Sequence, residues 1–415
     1  MQTNFAEFIR NTPEGEEAAA IVQKCVHCGF CTATCPTYQL LGDELDGPRG
    51  RIYLMKQMME GAEVTESTRL HLDRCLTCRN CESTCPSGVT YGRLVDIGRK
   101  VVEDQLEAKG VQRPLGERAV RWALREGVSR PALFGPALKI GRALRPLLPG
   151  VLRDKVPVTR APGQRPAPRH ARRMLVLEGC VQPSMSPNIN AATARVFDRL
   201  GISLVAAPEA GCCGAIRHHM NDHAGALDNM RANIDAWWPA IEAGAEAIVM
   251  TASGCGVMVK DYGHLLRHDP MYADKARRVS ALTKDLSELL PAYQAELAAL
   301  VRPAQDAPRV AWHPPCTLQH GQQIRGAVET LLAGLGVDVR LCADSHLCCG
   351  SAGTYSILQP TLSKQLRDEK LANLQATGPE MIVSANIGCL THLQSGTATP
   401  VAHWIELVDD LLRIR

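Results

Sequence analysis

Eight cysteines in two matching runs constrain this chain more than anything else in it: Cys25-x-x-Cys28-x-x-Cys31-x-x-x-Cys35-Pro36 and Cys75-x-x-Cys78-x-x-Cys81-x-x-x-Cys85-Pro86. Three thiols spaced two residues apart wrap one cube of iron and sulfide in a tight loop. The fourth leaves on a proline-directed turn and reaches the neighbouring cube. The pattern therefore assigns Cys25, Cys28, Cys31 and Cys85 to one [4Fe-4S] cluster, and Cys75, Cys78, Cys81 and Cys35 to a second. Zinc also binds Cys-x-x-Cys pairs, but it requires neither the third cysteine, the longer last step nor the proline. Two adjacent cubes carry electrons one at a time.

The chain has 415 residues, 45% of them hydrophobic, enough for two or three domains with proper cores. Aromatic residues are scarce at 4%, so base-stacking surfaces and nucleic-acid partners are not expected. Residues 1–20 are polar and acidic (Glu7, Glu14, Glu16, Glu17), with no apolar core of a signal peptide. The 17 cysteines are then expected in a reducing, cytoplasmic setting, as metal ligands rather than disulfides. No run of about 18 apolar residues is present, so no membrane span is expected.

Four regions follow one another. Residues 1–105 carry both cysteine runs. Between the runs, Ile52, Met55, Met58 and Met59 recur at helical spacing, residues 67–72 continue the tendency, and Asp46-Gly47-Pro48 reads as the turn that starts the helix. The expectation is a helical ferredoxin with two clusters. Residues 106–172 are rich in arginine, from Arg113, Arg118, Arg121 and Arg125 to Arg172, and end in a Pro/Arg-rich stretch over 156–172. They read as a basic helical connector and linker, either simply solvated or offering a docking surface to an acidic partner or anionic lipid.

Residues 173–302 and 303–415 are two copies of one α/β unit. Strand-like segments 174–177, 202–205 and 247–250 in the first copy match 309–313, 337–341 and 381–384 in the second, and a Cys-Cys-Gly follows at the same distance from the first cysteine in both. The alternation of strands and helices predicts parallel sheets related by a pseudo-twofold axis, with residues 287–300 as a helix closing the first copy. Each copy aligns four cysteines at strand ends, where parallel sheets place ligands: Cys180, Cys212, Cys213 and Cys255, then Cys316, Cys348, Cys349 and Cys389. They suit an iron–sulfur cluster, a zinc site or a dithiol/disulfide centre. Cys342 lies outside the pattern and reads as a core thiol. His218, His219, His313 and His346 lie near these cysteines, each open to a structural role, a fifth ligand or a proton donor.

Two ferredoxin runs followed by two Cys-Cys-Gly domains resemble the iron–sulfur subunits of flavin-linked dehydrogenases, and are similar to the heterodisulfide reductase and anaerobic glycerol-3-phosphate or lactate dehydrogenase families. Residues 25–38, 42–54 and 72–81 look most like the iron–sulfur subunit family of bacterial glycolate oxidase. That resemblance implies FAD-binding partner subunits that oxidise glycolate, and also D-lactate. It implies electrons passed through this chain to quinone, and a peripheral seat on the inner face of the inner membrane. The chain has no Gly-x-Gly-x-x-Gly run opening a helix, so the flavin is expected on the partners alone. One departure matters. The heterodisulfide reductase motif ends in Cys-x-x-Cys, and the matching positions here are Ala252 and Asn386. The fifth thiol of an unusual non-cubane cluster is missing from both copies.

Overall fold

The computed structural model describes residues 1–147, 161–301 and 308–413. Residues 156–160 of the expected linker, and the boundary expected at 302–303, lie outside the described residues.

The N-terminal region is helical throughout. Gly47 caps the helix Pro48–Met59, whose first residue is a proline with no N–H to lose. The helices Glu66–Asp73 and Tyr91–Ala108 pack against it, and Pro13–Lys24 packs on Tyr91–Ala108. Ile52, Met55, Met58 and Met59 are buried together with Ile21, Val22, Leu72, Leu94 and Val102. The last of these helices runs past residue 105, so the first region passes into the connector without a break.

Two parallel four-stranded sheets follow. The first comprises β1 (Arg172–Leu177), β2 (Ile202–Ala206), β3 (Ile248–Met250) and β4 (Thr283–Asp285), in the order β2-β1-β3-β4. The second comprises β5 (Arg309–His313), β6 (Asp338–Leu341), β7 (Met381–Ser384) and β8 (Val401–His403), in the equivalent order β6-β5-β7-β8. The fourth strand of each sheet was not legible as a strand. The helix expected over 287–300 is broken into Leu286–Leu289, a 3-10 turn Leu290–Tyr293 and Gln294–Leu300. Pro291 is the reason: it has no N–H to donate and clashes with the preceding turn.

Strand alternation explains how the layers assemble. Met174 and Val176 face a core shared by both copies, as do Val310 and Trp312. Leu175 and Leu177 face the opposite way, onto Ala226, Met230, Ile234 and Trp237 of the helix His223–Glu242. The helices are exchanged across the shared core. Trp404–Arg413, which follows β8, packs on Asn188–Arg199 of the first copy. The broken helix after β4 packs on Ala327–Gly334 of the second. This reciprocal exchange is the pseudo-twofold arrangement, reinforced by Arg195 forking onto Asp409 and by Asn188 donating to Glu406.

The connector is helical over Leu115–Ala123 and Pro131–Ala143. Its arginines divide. Arg113 is buried against Asp73, Glu103 and Glu117; Arg121 reaches Asp73 and Glu117, and Arg125 and Arg130 reach Glu126. These pairs anchor the connector to the protein instead of offering charge to a partner.

Candidate iron–sulfur centres

Both cysteine runs fold into the same loop. His27 and Gly29, flanking Cys28, have φ of 61° and 87°; Thr77 and Arg79, flanking Cys78, have 53° and 58°. This left-handed backbone curls the loop around a centre, and in the second run it directs Thr77 N–H at Cys75 Sγ, 3.3 Å away. Cys35 caps the helix Pro36–Leu41, and Pro36 at its first position turns the chain away from the rest of its run.

Two cavities result. The first, an open space of about 430 Å³, is lined by Cys25, Cys28, Cys31 and Cys85 with His27, Arg49 and Tyr91. The second, about 320 Å³, is lined by Cys35, Cys75, Cys78 and Cys81 with Arg51, Leu76 and Arg79. Cys85 thus joins the three cysteines of the first run, and Cys35 the three of the second. Cys81, Pro48 and Tyr91 border both, so the two sites share one wall. Burial pushes the Cys31 thiol up to about 11 and raises Cys78 and Cys81 well above the ordinary thiol range. Metal binding at these thiols therefore releases protons.

The surroundings of the two cavities differ. Cys28 is exposed, and Val26 and Phe30 beside it are 69% and 62% exposed. Around the second cavity Cys35, Cys75 and Cys81 are buried and Cys78 is half-buried. Asp46, fully buried, receives Arg51 at 3.3 Å, His71 at 3.1 Å and Arg74 at 2.8 Å next to it. Leu76 and Cys78 pack with Cys316 and Cys348 of the second sheet domain. Asn80 donates to the His346 carbonyl, and Ser83 meets the His320 ring.

Cys180 and Cys316 follow the carboxyl ends of β1 and β5, the Cys-Cys pairs lie in the loops after β2 and β6, and Cys255 and Cys389 sit just inside the helices after β3 and β7. In the first copy the thiols form a chain of contacts, Cys180 to Cys212, Cys212 to Cys213 and Cys213 to Cys255; in the second, Cys316 to Cys348, Cys348 to Cys349 and Cys349 to Cys389. Hydrogen bonds from Cys180 and Cys213 hold the Cys212 thiol well below its usual range, while Cys180 and Cys213 are pushed up by the same bonds. Four converging sulfurs fit a soft metal centre. The glycine after each pair has a positive φ, 89° at Gly214 and 86° at Gly350. A Cβ there would come 3.0 Å from the Ala226 carbonyl oxygen or 2.5 Å from that of Ser363.

The two copies are not equal. At the end of β1 stands Leu177; at the end of β5 stands His313, one ring nitrogen of which lies within 4.8 Å of the Cys349 and Cys389 sulfurs. Its burial lowers it to about 3. Asn233 in the first copy bonds the Cys212 carbonyl at 2.9 Å, and the equivalent helix position in the second copy is Lys370, buried and donating to the Asp344 carbonyl. Asn386, where the fifth thiol would stand, points its amide at Cys389 Sγ, 3.7 Å away, and accepts from Gly254 N–H of the other copy. His218 and His219 face Asp96 of the N-terminal region, at 3.5 and 3.1 Å, and tie the two regions together. Cys342 is buried in the outer core of the second copy.

A 4Fe-4S dicluster domain matches residues 21–89, and the family described as cysteine-rich domain matches residues 174–260 and 310–394. Helical region, duplicated sheets and thiol sites together define an iron–sulfur protein of the electron-transferring kind. More specifically, the chain belongs to the family of glycolate oxidase iron–sulfur subunits. It is 57% identical over 413 residues to the glycolate oxidase iron-sulfur subunit of Escherichia coli K12, covering 99% of each chain. It is 30% identical to the probable glycolate oxidase iron-sulfur subunit of Bacillus subtilis, covering 94% of this chain and 91% of that one. Lactate utilization protein A of Exiguobacterium is 26% identical over 56% of this chain and 94% of its own.

Proposed function

We propose that this chain is the electron-transfer subunit of a multi-subunit, flavin-dependent glycolate dehydrogenase. Partner FAD-binding subunits oxidise glycolate to glyoxylate, and quinone is the final acceptor. Clusters bound at the thiol sites supply one-electron carriers between a two-electron flavin and the acceptor. The observation that carries the reading is the row of sites: a cavity with Cys28 at the surface, a second with more deeply buried cysteines behind a shared wall, and the second sheet domain's Cys316 and Cys348 packed against Cys78. The chain's own residues hold each centre in register and keep water from the inner ones. The exposed loop with Val26 and Phe30 is the entrance for the flavin partner. The likeness to a lactate utilization protein supports D-lactate as a second substrate.

No helix among the described residues is long and apolar enough to cross a membrane. A peripheral seat on the inner membrane is supported by the helix Pro131–Ala143 and the turn after it, where Leu133, Ile140 and Leu144 are exposed beside Lys139, Arg142 and Arg145.

The test is glycolate added anaerobically to the purified complex, frozen within milliseconds and read by EPR. Reduced [4Fe-4S] signals on this chain are expected before quinone is consumed. Flavin reduction that leaves every cluster oxidised while quinone is still reduced would sink the reading.

A further inference from the structure

We infer that His313 is a metal ligand of the second Cys-Cys-Gly site, which then binds through thiols and an imidazole where the first site has thiols alone. The inference rests on the reading that these sites hold iron. Buried polar groups in folded proteins are almost always hydrogen-bonded, and the other buried histidines follow that rule in their own ways. His71 meets Asp46, His320 meets Ser83 and the His346 carbonyl, and His392 meets Ser363. His313 is fully buried, and among the described residues it is the one buried histidine with both ring nitrogens unpartnered. Those nitrogens are not stranded in an apolar core. One of them lies within 4.8 Å of both the Cys349 and the Cys389 sulfur, close enough for the three donors to surround one metal centre.

The strand supplies the geometry. His313 is the last residue of β5, and its carbonyl accepts from Ser384 Oγ at 2.8 Å, which fixes the backbone and leaves the ring to point along the site. The first copy provides the internal control. Leu177, the last residue of β1, faces the outer core there, and no nitrogen donor replaces it. The position of the absent fifth thiol carries Asn386, whose amide is occupied with Cys389 and with Gly254 of the other copy. His313 therefore supplies a fifth donor from the opposite side of the site. Imidazole is a borderline ligand that suits iron, and replacing thiolate by histidine raises the potential of an iron–sulfur centre. The second site, beside Cys78, is thereby set apart in potential from the first.

The test is pulsed EPR on the full chain in its complex, purified anaerobically from cells fed 15N-histidine. A strong nitrogen coupling, of the size a directly bonded imidazole gives, is expected on one centre. It should disappear in His313→Leu and also in His313→Cys, the latter keeping its iron. The labelled wild-type protein tests the inference even if both variants misfold: no strong coupling there overturns it, as does a coupling that survives either substitution. Unchanged iron content when Cys348 and Cys349 are both replaced by Ala also overturns it, by showing that the second site holds none. In each of these failures the two dicluster signals stay reducible by glycolate, so the proposed function is judged separately.

Discussion

Cys35 and Cys85 each belong to one run by sequence and to the other run's cavity in space. Cys85→Ala is therefore expected to empty the cavity of Cys25, Cys28 and Cys31, lowering iron by about four atoms per chain. The centre of its own run should remain. Iron analysis together with loss of the magnetic coupling between two reduced clusters checks this; loss of the Cys75 centre instead would refute the crossed assignment. A second residue-scale prediction concerns Asp46, which answers the buried Arg51 together with His71 and Arg74. Removing one partner of a buried pair typically costs about 3–5 kcal/mol, so Asp46→Ala should lower the denaturation midpoint sharply while Asp43→Ala, at the exposed end of the same turn, should not. The ferredoxin cysteines were legible because their ligation is written in local spacing. His313, Lys370 and Asn386 gain their meaning only when strand and helix ends are brought together, and no local pattern marks them. His218 and His219 were legible as polar groups near a cysteine pair, but their partner Asp96 is far away in the chain.

Among the elements, the sharp turns are the fragile ones. Gly350→Ala places a Cβ 2.5 Å from a backbone oxygen in a left-handed conformation. A destabilisation of about 2–4 kcal/mol is expected from strain and overpacking together. Thermal unfolding reads it, and a neutral result would mean that the loop relaxes freely. The connector gives a different test. Ile140→Glu with Leu144→Glu should abolish co-sedimentation of the complex with anionic vesicles if that face meets lipid; undiminished binding places the contact elsewhere. The strands with apolar runs were legible, but β4 and β8 were not, being three residues each and carrying Thr283, Lys284 and Asp285 or His403 in place of an apolar run. A signal did exist. Asp285 and Glu288 form a capping box after β4, and Glu406 accepts from the His403 N–H after β8. The acid three residues on marks both helix starts.

At the scale of the whole molecule, histidines sit in the joints between regions. Burial lowers His320, at the contact with Ser83, to about 4, and lowers His223, beside His218 and Asp96, to about 4. His403, in the second sheet domain, is lowered to about 3. A histidine whose folded value lies below its unfolded value of about 6.5 destabilises the fold as pH falls, because the unfolded chain takes up the proton first. Stability should be flat above about pH 6.5 and decline below it, by up to about 1.4 kcal/mol per pH unit for each such group. Urea unfolding at pH 7.5 and 5.5 measures the slope, and a rise in stability on acidification would reverse the sign argued here. The duplicated α/β units and their order were legible because a repeat announces itself. The exchange of closing helices was not, because it depends on which copy each helix lands on.

That exchange bears on how such a protein can have evolved. Each copy is finished by a helix belonging to the other, so neither could have been lost once the gene had doubled, and the pair had to be inherited as one unit. Within that bond the copies were still free to diverge at their strand ends. One copy carries Leu177 and Asn233 and the other His313 and Lys370, so a scaffold held in common leaves its two centres free to differ.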